Sequence, residues 1–371
     1  MRLSFFTMPI HAVGKPISQS LKEDREAFLL ADQLGYAEGY CGEHSTDMAE
    51  IVTSTVAFLA SLAYETKNIR LGTGTVNLPN SHPVRVAAEV AMLDHMLEGR
   101  FNFGISPGGL MSDAEAFGNL EKNRNAMFLE CINMVLNIWA NDPPYDLKGE
   151  YYQVTTGRTR IPEIGQGEVM KPFQDPHPPI VGTAVAPFSK GVTAMAARGW
   201  EPLSANFLLP KWVATHWPNY VEGCEQGGRP ADYAKWRVAK NICVAKDAAT
   251  ARCYARDPGS PYELYYRQLL TKFRRGGRLN LFKQDQDMPD QAVTLDYVLD
   301  ELVIHGDPQS VADQLLAFRE ETGPFEHLVY AGHDWTDVEL GRQSMILMAE
   351  EVMPILNEAT KSKATVSSIP T

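Results

Sequence analysis

Apolar and polar positions alternate along this chain in blocks that predict strand, helix, strand, helix from the first residues onward. Residues 3–6 form a short apolar run of the kind buried strands have. In the helix after it Ala27, Leu30, Ala31 and Leu34 recur at i, i+3, i+4 and i+7. Gly35 stands where helices end in a left-handed residue. A strand through Tyr40 follows, then a helix over residues 51–65 and a strand over 69–76. Pro83 opens the next helix, whose stripe is Val86, Val90, Leu93 and Leu97, and Gly99 stops it. A fourth strand over residues 100–106 leads into a helix over 120–140 that buries Phe128, Cys131, Val135 and Ile138.

Residues 141–179 are rich in Pro, Gly and Tyr and break this rhythm, with a short hairpin predicted at 150–154. The rhythm resumes with strands at 180–183, 201–204, 236–245 and 325–331. Helices are predicted at 187–198, 212–226, 247–257, 307–321 and 337–357, and residues 258–294 read as irregular. Eight strand–helix units predict an α/β chain: a single (β/α)8 TIM barrel over residues 1–357, with insertions after strand 4 (about 141–179) and strand 7 (about 256–294). Residues 358–371, rich in Ser, Thr and Lys, are expected to be a disordered tail.

Composition narrows the partners. With 34 Lys and Arg against 46 Asp and Glu, the formal net charge is −12, which repels nucleic acid and anionic membranes and favours a small or neutral ligand. The five cysteines form no CxxC pair and no cluster with histidine, so neither a disulfide framework nor a metal site is expected. The first apolar run is too short for a signal peptide and no run reaches the length of a membrane span, so a soluble cytoplasmic protein is expected.

Candidate chemistry collects at predicted strand ends, the face on which barrel enzymes carry their active sites. Glu43, His44 and Ser45 follow strand 2, a carboxylate, an imidazole and a hydroxyl in succession. A lone histidine is more often structural than catalytic; its place beside Glu43 is what raises His44. Strand 3 ends in small residues through Gly74 and Thr75 to Asn77, where a flat ligand can approach the backbone, though a tight barrel corner needs the same residues. Ser106-Pro107-Gly108-Gly109 is a small-residue turn without GxGxxG or a Walker lysine. Ala186-Pro187-Phe188-Ser189 before a helix leaves backbone N–H groups free to hold a phosphate, and Arg124 is a candidate bidentate charge for an anion. No GxSxG, HExxH or glycosidase-type carboxylate pair stands out. His305 and His333 read as structural.

Taken together, Gly42-Glu43-His44, Gly72-Thr73 through Leu78-Pro79, His82-Pro83-Val84-Arg85, Leu97-Glu98-Gly99-Arg100-Phe101, Gly306-Asp307-Pro308 and Glu351-Val352-Met353-Pro354 resemble the bacterial luciferase-like flavin-dependent monooxygenases over nearly the whole chain. Gly42-Glu43-His44-Ser45-Thr46 and Pro107-Gly108-Gly109 look most like the two-component diketocamphane and limonene-type members. The resemblance implies a homodimeric barrel that takes reduced FMN from a separate flavin reductase. It also implies oxygenation of a neutral, largely apolar organic substrate through a peroxyflavin, by Baeyer–Villiger insertion or hydroxylation. It implies that His44, with Glu43, is catalytic. FMN would be bound by Gly74, Thr75, Asn77, Ser106, Arg124, Ala186, Pro187, Phe188 and Ser189, with a non-proline cis peptide near Gly74 and Thr75. Where luciferase itself has a Cys-Arg pair after strand 4 this chain has Ser106-Pro107, so light emission is not expected; Lys190 or the cluster Arg274, Arg275 and Arg278 is the candidate replacement charge. Phe5, Phe6, Met8 and Phe207 are expected to line a dry pocket. Two other readings share the scaffold: hydride transfer with a deazaflavin, and flavin binding without turnover.

Overall fold

The computed structural model describes residues 1–7 and 10–366, with side chains to Lys361; Met8 lies outside the described residues. In chain order the strands are β1 (Arg2–Thr7), β2 (Glu38–Cys41), β3 (Arg70–Thr73), β4 (Val76–Asn77), β5 (Phe101–Ser106), β6 (Asp146–Lys148), β7 (Gln153–Thr155), β8 (Ile180–Ala184), β9 (Glu201–Ser204), β10 (Arg237–Val244), β11 (Val303–Gly306) and β12 (His327–Gly332). The order of β1, β2, β3, β5, β8, β9, β10 and β12, each followed by helix, is that of a (β/α)8 barrel, as predicted. No helix among the described residues is long and apolar enough to cross a membrane.

The chain divides into two compact units, one of residues 1–39 and 182–371 and one of residues 40–181. In the first, β1 pairs in parallel with β12, β12 with β10, and β10 with both β9 and β11. Alternation along β1 sends Phe5 against Phe28 of the helix Ile17–Gln33, ring centroids 5.1 Å apart, so Phe5 fills the strand–helix layer. Phe207 packs edge-on against Phe273 at 5.4 Å.

Charges gather at the strand starts of this unit. Arg237, first residue of β10, grips the first residue of β2, with Nε to Glu38 Oε2 at 2.6 Å and Nη2 to Glu38 Oε1 at 2.7 Å. Its Nη1 donates to Glu201 of β9 at 2.7 Å. This bidentate cluster sits at the N-terminal ends of the strands, the stability face of a barrel.

In the second unit β5 pairs in parallel with β3 and β4, and β6 and β7 form the antiparallel hairpin predicted near 150–154. Strand contact is close here because side chains are missing where they would collide. A Cβ on Gly104 would stand 1.7 Å from Thr73 O, and one on Gly72 would stand 2.4 Å from the Tyr40 ring. Thr73 Oγ1 uses that approach, donating to Gly104 O at 2.7 Å and accepting from Gly104 N at 2.8 Å.

Three predicted stretches differ. Residues 258–294 hold the 15-residue helix Pro261–Arg275, capped by Ser260, with Tyr262, Tyr265, Tyr266, Leu269, Leu270 and Phe273 on its buried side. That spacing is helical, and the tyrosines and the basic end obscured it. Tyr262 donates to Ile242 O and Asn241 Nδ2 to Tyr266 Oη, so this segment is packed wall. β11 is a further strand, four residues that pair on the outer edge of β10. Residues 358–366 continue the helix Met353–Val366 where the tail was expected, and residues 367–371 lie outside the described residues.

Candidate active site

Beyond the end of β2, Glu43 is turned inward and fully engaged. Its Oε2 accepts from Thr55 N at 2.9 Å and Thr55 Oγ1 at 3.0 Å, and its Oε1 accepts from Asn77 N at 3.1 Å. Burial nevertheless pushes this carboxyl above the usual carboxylate range, against the pull of those donors. Asn77 answers with its amide, Nδ2 donating to Glu43 O at 3.2 Å. Its Oδ1 accepts the Ser106 hydroxyl at 2.9 Å, and Ser106 Oγ in turn accepts from Thr75 Oγ1 at 2.7 Å and from Gly108 N at 3.2 Å. Glu43, Asn77, Ser106 and Thr75 thus form one bonded wall, and the Gly74–Thr75 peptide at its end is cis.

His44 has a separate set of partners. Its Nδ1 lies 3.0 Å from Asp113 Oδ2 and its Nε2 3.2 Å from Glu50 Oε2, while its backbone N donates to Val52 O at 3.0 Å. Asp113, on the helix Met111–Ala116, also accepts from Ser45 N at 3.1 Å and Thr46 Oγ1 at 2.7 Å. Two carboxylate acceptors on one imidazole require two N–H donors on the ring, or a proton on one carboxyl. Both partners are buried, Asp113 at 3% and Glu50 at 1% exposure, and neither was singled out from the sequence. Nothing local marks them: Asp113 reads as a first-turn acid of a short helix and Glu50 as a loop residue.

Arg124 opens the helix Arg124–Ala140 behind the Asn123 cap. Its Nη1 donates to Gly108 O at 2.9 Å and its Nη2 meets Met111 Sδ at 3.4 Å; among the described residues it has no carboxylate partner. A guanidinium held by a carbonyl and a thioether keeps its charge for an anion.

In the first unit, Ala186, Pro187, Phe188 and Ser189 lead into the helix Lys190–Ala197. Ala186 O accepts from His216 Nε2 at 2.9 Å, which makes His216 Nδ1 the acceptor for the Ser204 hydroxyl at 2.8 Å; burial holds this ring neutral, pulled down to about 4. Phe188 N donates to Thr215 Oγ1 at 2.9 Å and Val192 N to Ser189 O at 3.0 Å, whereas Ser189 caps the helix without a side-chain bond, which leaves the amides of Lys190 and Gly191 open among the described residues. Three of the candidate replacement charges have partners. Lys190 faces Glu222 at 3.5 Å, Arg274 donates to Val293 O at 3.2 Å, and Arg278 lies over the Phe273 ring at 5.0 Å.

His333 also belongs to this unit, at the end of β12. Its Nε2 lies 2.9 Å from Asn241 Oδ1, and burial pulls the ring down to about 3. His11 is the opposite case. Burial lowers it, but Asp24 at 3.0 Å and Asp334 at 2.8 Å overcome that and raise it to about 9. Lys15 lies 2.5 Å from Asp334 Oδ1 and also bonds Glu23, so an ammonium occupies the centre of the His11, Glu23 and Asp334 group.

A family model described as luciferase-like monooxygenase matches residues 1–324. The chain belongs to that family. Along its length this luciferase-like monooxygenase is 30% identical to 4-hydroxyprotoasukamycin monooxygenase of Streptomyces nodosus subsp. asukaensis, covering 96% of this chain and 93% of the other. It is 26% identical to limonene 1,2-monooxygenase of Rhodococcus erythropolis, over 95% of this chain and 86% of that one. Its fold matches the oxygenating constituent of 3,6-diketocamphane monooxygenase from Pseudomonas putida, a type II Baeyer–Villiger monooxygenase solved with FMN. The TM-score is 0.86 at 24% identity, covering 95% of this chain and 98% of that one. The resemblance carried by the strand-end motifs is thereby confirmed at the level of family and fold.

Proposed function

We propose that this luciferase-like monooxygenase uses reduced FMN and O2 to oxygenate a neutral, largely apolar organic substrate, by Baeyer–Villiger insertion or hydroxylation. A separate reductase supplies the reduced flavin, and the chain works as a cytoplasmic homodimer. The observation that carries this reading is the bonded wall Glu43–Asn77–Ser106–Thr75 ending at the Gly74–Thr75 peptide. It gives a flat ring a rigid backbone surface with its side-chain hydroxyls already paired.

The residues fit an FMN donor set. Arg124, which has no carboxylate partner among the described residues, would bind the phosphate within the second unit; in the first unit the amides of Lys190 and Gly191, after Ala186, Pro187, Phe188 and Ser189, would suit an anion. When bound, reduced FMN supplies two electrons, so that one oxygen atom of O2 enters the substrate and the other leaves as water. His44 would hold and deliver a proton, its ring plane set by Asp113 and Glu50. Glu43, with three donors on its carboxylate, would position Asn77 and leave proton transfer to His44.

The test supplies reductase-generated reduced FMN and 18O2 to a panel of cyclic ketones and terpenes. Incorporation of one 18O atom per product is expected. Flavin oxidation with no labelled product from any member would refute the reading, and oxidation of a secondary alcohol with a deazaflavin under argon would replace it by hydride transfer.

A further inference from the structure

One glycine of the second unit is bonded both to the flat wall and to the cation beside it. Gly108 N donates to Ser106 Oγ at 3.2 Å, and Ser106 Oγ is the atom that joins Asn77 to Thr75. Gly108 O accepts from Arg124 Nη1 at 2.9 Å. These two backbone groups flank a single α-carbon, so the dihedral angles at residue 108 fix the direction of one bond relative to the other. Three hydrogen bonds thus run from Thr75, just after β3, through Ser106 at the end of β5 and Gly108 to the first residue of the helix Arg124–Ala140.

The backbone angle that allows this is restricted. Gly108 has φ +77°, in the left-handed region that residues other than Gly, Asn and Asp seldom adopt. Space does not demand a glycine, since a Cβ there would stand 3.6 Å from the nearest atoms of Asn77, an ordinary contact. The conformation alone selects the residue. At the other end of the chain of bonds, the Arg124 guanidinium has five N–H donors and commits two of them, through Nη1 to Gly108 O and through Nη2 to Met111 Sδ at 3.4 Å. Among the described residues three donors and the charge remain, on a planar fork whose direction is set by what its two η nitrogens already hold. Met111 is 54% exposed and a thioether is a weak acceptor, so the Gly108 carbonyl is the firmer of the two holds.

We propose that Gly108 is a positioning residue: in its left-handed conformation it aims the Arg124 guanidinium relative to the wall, and that aim sets a preference for a phosphorylated flavin over an unphosphorylated one. The preference rests on the FMN reading above, whereas the aim is a property of the flavin-free chain. Arg124 supplies the charge, Gly108 gives it direction, and Ser106 ties that direction to the surface on which a flat ring would lie. Gly108 acts through its neighbours and needs no contact with the ligand.

The full chain is titrated anaerobically with reduced FMN and with reduced riboflavin. The ratio of the two dissociation constants measures the preference, because damage to the wall weakens both flavins alike and cancels. Gly108→Val, whose branched side chain disfavours positive φ, should lower that ratio about tenfold, as Arg124→Ala does. Gly108→Asn, which tolerates the same φ, should keep it within about twofold. Adding Gly108→Val to Arg124→Ala should lower it no more than about twofold further, since the two residues act as one unit. Circular dichroism checks each fold, and if Gly108→Val does not fold, Gly108→Ala decides. A second readout needs no flavin. 15N NMR should resolve Arg124 Nη1 from Nη2 in wild-type and Gly108→Asn and merge them in Gly108→Val, where the carbonyl no longer restrains rotation about the Nε–Cζ bond. Equal loss of both flavins in Gly108→Val, additive losses in the double variant, or a merged pair in wild-type would overturn the proposal. A wild-type without preference for FMN, but with a resolved pair that merges in Gly108→Val, would keep the positioning and remove the FMN reading. A wild-type preference that survives in Gly108→Val would do the reverse.

Discussion

His44 Nδ1 stands 3.0 Å from Asp113 Oδ2, a contact between residues 69 positions apart that ties the loop after β2 to the helix Met111–Ala116. Glu50 on the other ring nitrogen completes a clamp that leaves the imidazole one orientation. Asp113→Asn keeps the shape but turns one accepting atom into a donor that confronts Ser45 N, Thr46 Oγ1 or the ring. Product per reduced flavin should fall about tenfold or more, with hydrogen peroxide appearing in its place and FMN affinity nearly unchanged. His44→Ala should do the same, and full coupling in both variants would make the histidine structural.

Ser106 joins three partners through one oxygen: it accepts from Thr75 Oγ1 and Gly108 N and donates to Asn77 Oδ1. Ser106→Ala leaves those groups unmatched in a half-buried site, and chemical denaturation should show a loss of about 1 to 3 kcal/mol. Reduced FMN should bind more weakly as well. A wild-type midpoint together with wild-type FMN affinity would show that the wall does not depend on this hydroxyl.

Removal of Arg124 tests the anion site directly. Arg124→Ala should weaken reduced FMN by about 1 to 3 kcal/mol through loss of a charge-assisted pair, while riboflavin, which lacks the phosphate, should bind as to wild-type. Equal losses for the two flavins in an anaerobic titration would move Arg124 out of the phosphate site.

Stability should vary with pH through His11. Its folded value, about 9, lies above the ordinary 6.5, so its protonated form is bound more tightly in the native state. Stability from this group is fully present below the unfolded value and is lost as pH rises through about 9. Urea midpoints measured between pH 6 and 9.5 should fall for wild-type and fall less for His11→Gln; parallel curves would show that His11 does not set the slope.

Much of the chain was legible as pattern. Ala27, Leu30 and Ala31 of the first stripe and Val86, Val90 and Leu93 of the second became buried faces of the helices Ile17–Gln33 and Pro83–Met96, while Leu34 is the half-buried C-cap of the first. The helix Pro261–Arg275 carried an equally regular signal, hidden only because its buried positions are tyrosines that also suit loops. β11 was not legible, since a four-residue run after a helix becomes a strand only when β10 offers it an edge.

For the candidate site the sequence by itself determined which chemistry stands after β2, because Glu43 and His44 are neighbours in the chain and the end of a strand places them together. It also determined the family, whose model matches residues 1–324. Tertiary structure alone decided what each group does with its hydrogen bonds: Glu43 turns to Thr55 and Asn77, while His44 turns to Glu50 and Asp113. The reason is that burial and partner choice depend on which residues the fold brings within about 3 Å, and a carboxylate such as Asp113 carries no mark of its partner until the chain between them has folded.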